Sequence, residues 1–275
     1  MGDTLTGRLA QLAPKTPAVH AAANYDAAKD RPAPERWVTM SNALTRAGHG
    51  LTLSEKRIVM MALSRLDSRK YVGRAAEVPT TRITAAEYAE AFDVDSDTAY
   101  KQLKEASKHL YGRSITFFEA AHRRRGKELT PTKVQMRWVG SIKYQEGEGW
   151  VELAWWPHLM QHLTGLKKQF TTYQLQQTTA LRSAYSWKLL ELLMRFEDSG
   201  RAEYTIEDFS TSMDATEKQR ANFANIRRRI IEPAVHELGE KDGWDIQWRP
   251  IKAGRRVAKV RFDFKRQEQL RLPID

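Results

Sequence analysis

The chain has 275 residues, of which 41% are hydrophobic and 29% charged, and it contains no cysteine. This composition is typical of a soluble globular protein and excludes disulfides and thiolate zinc sites. No apolar run approaches the roughly 18 residues that a membrane span needs, and no secretory signal is evident, so we expect a cytoplasmic protein.

The formal net charge is +11, and the excess is concentrated in two segments. Residues 101–138 hold ten Lys/Arg against three Asp/Glu, and residues 215–275 hold fifteen against nine. Two separate basic segments predict a polyanionic partner, of which nucleic acid is the commonest. The alternatives are solvated charge and, more weakly, a membrane surface, since neither segment is a long amphipathic helix with an aromatic face.

The chain divides into an arm and two similar copies of one pattern. Residues 1–36 are rich in Ala, Pro and small polar residues, which predicts a disordered N-terminal arm. The pattern that begins at residue 37 is repeated later in the chain, so we predict one domain at 37–165 and a second at 166–275.

The first copy begins with an amphipathic helix from Ser54 to Leu66, for which Ser54 is the expected N-cap. A short helix follows, with a capping box at Thr84 and Glu87. After a turn, a basic helix is predicted from Asp97 to about Leu110. Strands at 114–118 and 133–139, joined by a basic turn, complete the copy, and a further strand follows Gly149.

The second copy repeats this order. A helix from about Ser183 to Glu197 precedes a short helix capped by Thr205. A basic helix is predicted from roughly Arg220 to Leu238, and Pro233 should kink it. A hairpin with strands at 244–248 and 257–264 ends the copy.

Helix, short helix, turn, basic helix and basic hairpin are the parts of a winged helix in chain order. The second helix of a helix-turn-helix unit enters the major groove, and the hairpin wing contacts the adjacent backbone. The predicted fold class is therefore α+β, with two tandem winged-helix domains related by an internal pseudo-repeat.

The first basic helix buries Ala99, Leu103 and Ala106 on one face and presents lysines on the other. Lysine is a point charge without a planar fork, so phosphate contact is expected here, with a solvated helix face as the alternative. The predicted phosphate-binding residues are Lys101, Lys104 and Lys108.

The second basic helix carries Arg and Asn, which can grip guanine and adenine bidentately, so it is the predicted base-contacting helix. Arg227 falls near the centre of its apolar face, which leaves open a phosphate contact or a structural ion pair. A solvated basic helix is the alternative. The candidate DNA-binding residues here are Asn222, Asn225, Arg227, Arg228 and Arg229.

The two hairpin turns are also basic, and wing tips of this kind contact phosphate or a groove edge. Solvated loops are the alternative. The first turn contributes Arg123, Arg124, Arg125 and Lys127, and the second contributes Lys252, Arg255 and Arg256.

No pattern in the chain favours catalysis, a metal or a cofactor. His158 and His162 have helical ligand spacing but lack the Glu of an HExxH motif, and no GxxxxGK[ST] loop is present. Asp93, Asp95 and Asp97 resemble the start of a calcium loop, but a turn with a helix cap is favoured. We therefore expect a protein that is not an enzyme.

From about Val38 to Phe264 the chain resembles the theta-type plasmid replication initiators of the RepE, RepA and π kind. The stretches that carry the resemblance are Ser41 to Leu44, Leu51 to Ile58, Leu166 to Leu175, Ser183 to Leu193 and Phe223 to Ala234. In that family the second winged helix makes most base contacts, in agreement with the Arg and Asn cluster of this chain.

The resemblance implies a bacterial protein that binds origin direct repeats (iterons) as a monomer in equilibrium with a homodimer. The dimer would form through the first winged helix and bind an inverted repeat at its own promoter. The monomer would promote strand opening and help to load the replicative helicase, with the host initiator as a further partner. Two alternatives remain: a winged-helix transcriptional regulator without a replication role, and a nicking or strand-transfer enzyme.

Overall fold

The computed structural model describes residues 31–70, 72–73, 77–119 and 132–266. Nearly all of the predicted arm at 1–36 lies outside these residues; within the arm, Ala33–Glu35 forms a 3-10 turn. The basic turn with Arg123, Arg124, Arg125 and Lys127 also lies outside them. The remainder contains two modules of similar organisation.

Within the described residues, module 1 begins after strand β1 (Trp37–Ser41) and contains four α-helices and five strands. These are α1 (Asn42–Arg46), α2 (Leu53–Leu63), β2 (Thr80–Thr84), α3 (Ala85–Phe92), α4 (Ser96–His109), β3 (Ser114–Glu119), β4 (Thr132–Arg137), β5 (Val139–Tyr144) and β6 (Trp150–Trp155). The structure therefore has the predicted helix, short helix and basic helix in the predicted order.

The cap of α2 differs from the predicted one. Thr52, not Ser54, is its N-cap, because the Thr52 hydroxyl accepts from the Glu55 amide while the Glu55 carboxylate accepts from the Thr52 amide at 2.8 Å. The helix ends at Leu63 rather than Leu66. The predicted capping box of Thr84 and Glu87 is confirmed at α3.

The sheet of module 1 corrects the predicted wing. Strands pair in the order β2-β6-β5, with Ile83 opposite Val151, whereas β3 and β4 form a separate two-stranded hairpin. The winged-helix hairpin that pairs with the strand before the short helix is thus β5–β6. The hairpin β3–β4, interpreted from sequence as the wing, is an additional element between α4 and that wing.

Module 2 follows strand β7 (Phe170–Gln174) and the short helix α5 (Gln176–Thr179). Its elements are α6 (Ala184–Met194), β8 (Arg201–Thr205), α7 (Ile206–Ser212), α8 (Glu217–Arg220), α9 (Phe223–Ile226), a π-helical segment (Arg227–Ile231), α10 (Glu232–Asp242), β9 (Trp244–Ala253) and β10 (Arg256–Arg266). We call residues 223–242 the basic helix and residues 227–231 its π segment. The sheet order is β8-β10-β9, so here the predicted hairpin is the wing.

Backbone pairing, a shared core and side-chain contacts join the modules. β1 pairs with β7 in antiparallel register, so a strand from the predicted first domain lies beside one from the predicted second. The buried apolar side chains form one cluster that runs through both modules. At the surface of this junction, the Asp214 carboxylate accepts from the amides of His49 and Gly50, each at 2.9 Å.

Candidate nucleic-acid interface

The N-terminus of the basic helix is fixed by its two asparagines. The Asn222 side chain accepts from the Asn225 amide at 2.9 Å and caps the helix. The Asn225 side-chain amide donates to the Lys218 carbonyl at 2.8 Å. Both predicted base-contacting asparagines therefore hydrogen-bond to the backbone, with Asn222 exposed and Asn225 half-buried.

Arg227 is exposed and forms an ion pair with Glu232 at 3.4 Å. The sequence left two alternatives for Arg227, an ion pair or a phosphate contact, and this ion pair is the first of them. The predicted position of Arg227 near the centre of the apolar face was wrong, because the wheel assumed an uninterrupted α-helix. The π segment closes with a hydrogen bond from the Glu232 amide to the Arg227 carbonyl, which places residues five apart on one side.

Arg228 and Arg229 project from the same segment into solvent, opposite the buried Ile226 and Ile230. The Arg228 Nε atom makes a long 3.4 Å hydrogen bond to the Ala224 carbonyl. Among the described residues neither arginine forms an ion pair with an acidic side chain. Their guanidinium groups are therefore available to an anion or to a base edge.

On the wing of module 2, the basic residues of β10 below the tip have acidic partners, whereas those at the tip have none among the described residues. The turn is made by Gly254 and Arg255, and Gly254 has the positive φ of 61° that a tight hairpin turn favours. Lys259 and Arg261, further down β10, both pair with Glu203 on β8 at 2.9 and 3.5 Å. The tip residues Lys252, Arg255 and Arg256 are exposed and have no acidic partner within the described chain.

The two cations on β10 change the pKa of the Glu203 carboxylate with which they pair. The hydrogen bond from Lys259, with the charges of Lys259 and Arg261, lowers the pKa of Glu203 below its ordinary value. Lys259 and Arg261 thus share one carboxylate, whereas the basic residues at the tip have no acidic partner among the described residues.

Aromatic packing holds the basic helix and the wing together. The rings of Phe223, in the first turn of the helix, and Trp248, on β9, lie 6.3 Å apart. Arg249, the exposed neighbour of Trp248, was missed because the predicted strand stopped at 248, whereas β9 continues to Ala253. If the predicted strand is extended to the turn at Gly254, its alternating pattern places Arg249 on the exposed face.

The α4 lysines of module 1 occupy the predicted face, opposite the buried Ala99, Leu103 and Ala106. Unlike Arg228 and Arg229, each of these lysines has an acidic neighbour. Lys101 lies 3.7 Å from Asp97, Lys108 lies 3.2 Å from Glu105, and Lys104 pairs with Glu146.

The last pair links α4 to the β5–β6 turn. Glu146 raises the pKa of Lys104 through a hydrogen bond and its charge. The Tyr100 hydroxyl on α4 accepts from the Tyr144 hydroxyl and from the Gly147 amide, both at 3.0 Å. The wing turn of module 1 is therefore anchored beside the lysines of α4.

Two histidines with possible ligand spacing have other contacts. His158 and His162 lie in the 3-10 turn Pro157–His162. The His162 ring stacks on Phe117 and hydrogen-bonds to the Ser41 hydroxyl at 2.9 Å. In residues 31–70, 72–73, 77–119 and 132–266, no three His, Asp or Glu side chains cluster as metal ligands would, and no helix could cross a bilayer.

Comparisons with known proteins agree on one family. Residues 37–194 match the family described as Initiator Replication protein, WH1, and residues 205–264 match Initiator Rep protein, WH2. An Escherichia coli protein described as an uncharacterized 27.6 kDa protein is 27% identical, with coverage of 74% of this chain and 85% of its own length. The PI protein of Escherichia coli is 24% identical, with coverage of 81% of this chain and 80% of its own.

One solved structure shares the fold over most of the chain. It is the Pi initiator protein in complex with iteron DNA, with a TM-score of 0.69 and 21% identity. The alignment covers 86% of this chain and 99% of that one. The tandem winged-helix architecture is thereby confirmed.

Proposed function

Because this chain belongs to the initiator replication protein family, with both of its winged-helix domains, we propose that it initiates plasmid replication by binding iteron DNA sequence-specifically. In this proposal module 2 contacts base edges and module 1 contacts mainly the phosphate backbone. One observation carries the assignment to module 2: the exposed Arg228 and Arg229 of the basic helix have no acidic partner among the described residues.

The charge pattern of module 2 supports base contact. Arg228 and Arg229 project from the helix that a winged helix inserts into the major groove, and Arg is the commonest side chain bound to guanine O6 and N7. The tip residues Lys252, Arg255 and Arg256 would contact the flanking backbone. The solved Pi complex contains iteron DNA, which supports the same class of ligand here.

Module 1 would add backbone contacts. Lys101, Lys104 and Lys108 lie on one exposed face of α4, where an approaching phosphate would compete with the acidic partners of these lysines. Arg123, Arg124, Arg125 and Lys127 lie outside the described residues, and their contact with DNA stays a prediction.

The β3–β4 hairpin also supports the proposed homodimer. Among the described strands, β4 pairs only with β3, and an unpaired strand edge is a ready template for a second chain. Phe118 on β3 is 54% exposed, which is unusual for a large aromatic side chain. A dimer joined here would bind the inverted repeat of its own promoter, while the monomer binds iterons.

The remaining steps follow the family scheme. The bound monomer would open the origin locally and recruit the replicative helicase together with the host initiator, without catalysing a reaction itself. The second candidate is a winged-helix regulator that shares the same DNA-binding surface but has no replication role.

A plasmid that carries only this gene and its flanking DNA distinguishes the two candidates. The initiator should maintain that plasmid without another origin, and deletion of direct repeats near the gene should abolish maintenance. Sequence-specific binding to the flanking DNA without plasmid maintenance would favour the regulator. Equal affinity for flanking and random DNA would contradict both.

A further inference from the structure

The basic helix contains a proline that has no packing role. Pro233 lies two residues after the π segment and is exposed to solvent. Proline inside a helix removes one backbone donor, and its ring clashes with the carbonyl four residues earlier, here that of Arg229. An exposed residue of this kind gives no stability through burial, so its presence needs another explanation.

The π segment accommodates this proline. In an α-helix the amide of residue 233 would donate to the Arg229 carbonyl, and proline has no such amide. The structure instead closes a wider turn, in which the Glu232 amide donates to the Arg227 carbonyl five residues earlier. Such one-residue expansions of a helix occur frequently at functional sites.

The pattern of buried side chains also indicates the one-residue expansion of the helix at the π segment. Ile226 is 1% exposed and Ile231 is 0% exposed, although in an uninterrupted α-helix they would project about 140° apart at about 100° per residue. The π segment brings both onto the face that also buries Ala234 and Leu238. Residues on the opposite side of the segment are reoriented by the same expansion.

We propose that Pro233 is a positioning residue for DNA recognition: it maintains the π segment, which sets the direction of Arg228 and Arg229 relative to the body of module 2. Removal of the expansion would rotate these two arginines against α10 by about one residue, on the order of 100°. The proposal rests on the assignment of base contact to Arg228 and Arg229 made above.

The test compares Pro233→Ala with His236→Ala, a matched exposed substitution one turn later in α10. The specific probe is a duplex carrying the site that the wild-type protein selects from a random-sequence library. The control probe is a scrambled duplex of equal length and composition. Binding to both probes and the melting temperature are measured for each variant.

For Pro233→Ala we expect a tenfold or greater loss of affinity for the selected duplex, less than a twofold change on the scrambled duplex, and a melting temperature no lower than that of wild type. His236→Ala should leave both affinities within twofold. Retention of the wild-type ratio by Pro233→Ala, or equal loss on both duplexes, would overturn the proposal.

Two further variants separate this proposal from the proposed function. Arg228→Ala and Arg229→Ala are measured on the same probes. If they lose specific affinity while Pro233→Ala does not, only the positioning role fails. If neither arginine variant loses specificity, the base-contacting surface itself has been assigned wrongly.

Discussion

Lys56 on α2 of module 1 and Glu191 on α6 of module 2 form an ion pair of 2.8 Å in which both side chains are almost completely buried. The second Glu191 oxygen accepts from the Tyr173 hydroxyl at 2.9 Å. Lys188 lies 3.8 Å from the same carboxylate and donates to the Ala47 carbonyl at 2.9 Å. These residues form a buried polar cluster in the hydrophobic core where the two modules meet. Because both modules contribute to it, the cluster links the stability of one module to that of the other.

Glu191→Gln should destabilise the protein substantially. The substitution removes the carboxylate that pairs with the buried Lys56 ammonium group, and breaking one side of a buried ion pair costs about 3–5 kcal/mol. The free energy of unfolding in urea measures the effect. Glu105→Gln, at an exposed position on α4, should change it by less than about 0.5 kcal/mol. Similar losses of unfolding free energy in the two variants would mean that the buried ion pair does not stabilise the junction.

Stability should rise with pH through the titration of Lys188. Burial lowers the pKa of this lysine from its ordinary 10.5 to about 7, against the opposing charge of Glu191. Between pH 7 and 10.5 the unfolded chain therefore binds the extra proton, so the unfolding free energy increases with pH, by at most about 1.4 kcal/mol per unit. Lys188→Met should flatten the unfolding free energy across that window, and an unaltered slope would contradict the assignment.

Arg228→Ala and Arg229→Ala should each weaken binding to the selected duplex by about 1–3 kcal/mol if the contact is bidentate. Binding to scrambled DNA should fall much less, since the loss of a single charge there changes only the salt-dependent term. Titrations at several salt concentrations separate the two effects. Equal losses on both duplexes would indicate phosphate contact instead.

Asn222→Ala should reduce the unfolding free energy by about 1 kcal/mol, because the N-cap of the basic helix loses its side-chain acceptor. Asn222→Ser keeps a capping oxygen and should restore most of that stability. Both variants are then compared on the selected duplex. If Asn222→Ser is stable but loses specific affinity, the asparagine contacts a base as well as capping the helix.

Glu146→Gln should strengthen DNA binding severalfold at low salt. In the free protein the Glu146 carboxylate pairs with the Lys104 ammonium group. Without that carboxylate, Lys104 can pair with a DNA phosphate at no cost of breaking an ion pair. Glu148→Gln removes the same charge from the same exposed turn and serves as the control. Equal gains for both would mean a general charge effect, with no specific competition at Lys104.

Local signals in the sequence were sufficient for most helices. Thr84 with Glu87, and Thr205 ahead of α7, predicted their caps correctly, because a capping box involves residues only three apart. Thr52 was not predicted as the cap, although Glu55 stands three residues later, because Ser54 also has a hydroxyl that can cap a helix. These are differences of one or two residues at the end of an element.

Non-local features were not accessible in the same way. The wing of module 1 depends on whether β2 pairs with β6 or with a strand of the first hairpin, and each hairpin has a similar alternating pattern. The π segment was not predicted because a helical wheel assumes one period throughout. For the same reason Arg227 was placed on the wrong face of the helix. The burial of Lys56 and Glu191 arises only when the two modules pack together, and nothing within either helix marks it.

We propose that both modules bind successive stretches of one duplex, module 1 through α4 and module 2 through the basic helix. Hydroxyl-radical footprinting of the wild-type protein on the selected duplex tests it most directly. We predict two protected backbone patches on one face, about one helical turn or roughly 10.5 base pairs apart. A combined Lys101→Ala, Lys104→Ala and Lys108→Ala variant should lose one patch and keep the other. A single patch in the wild-type footprint, or equal protection of scrambled DNA, would contradict the account.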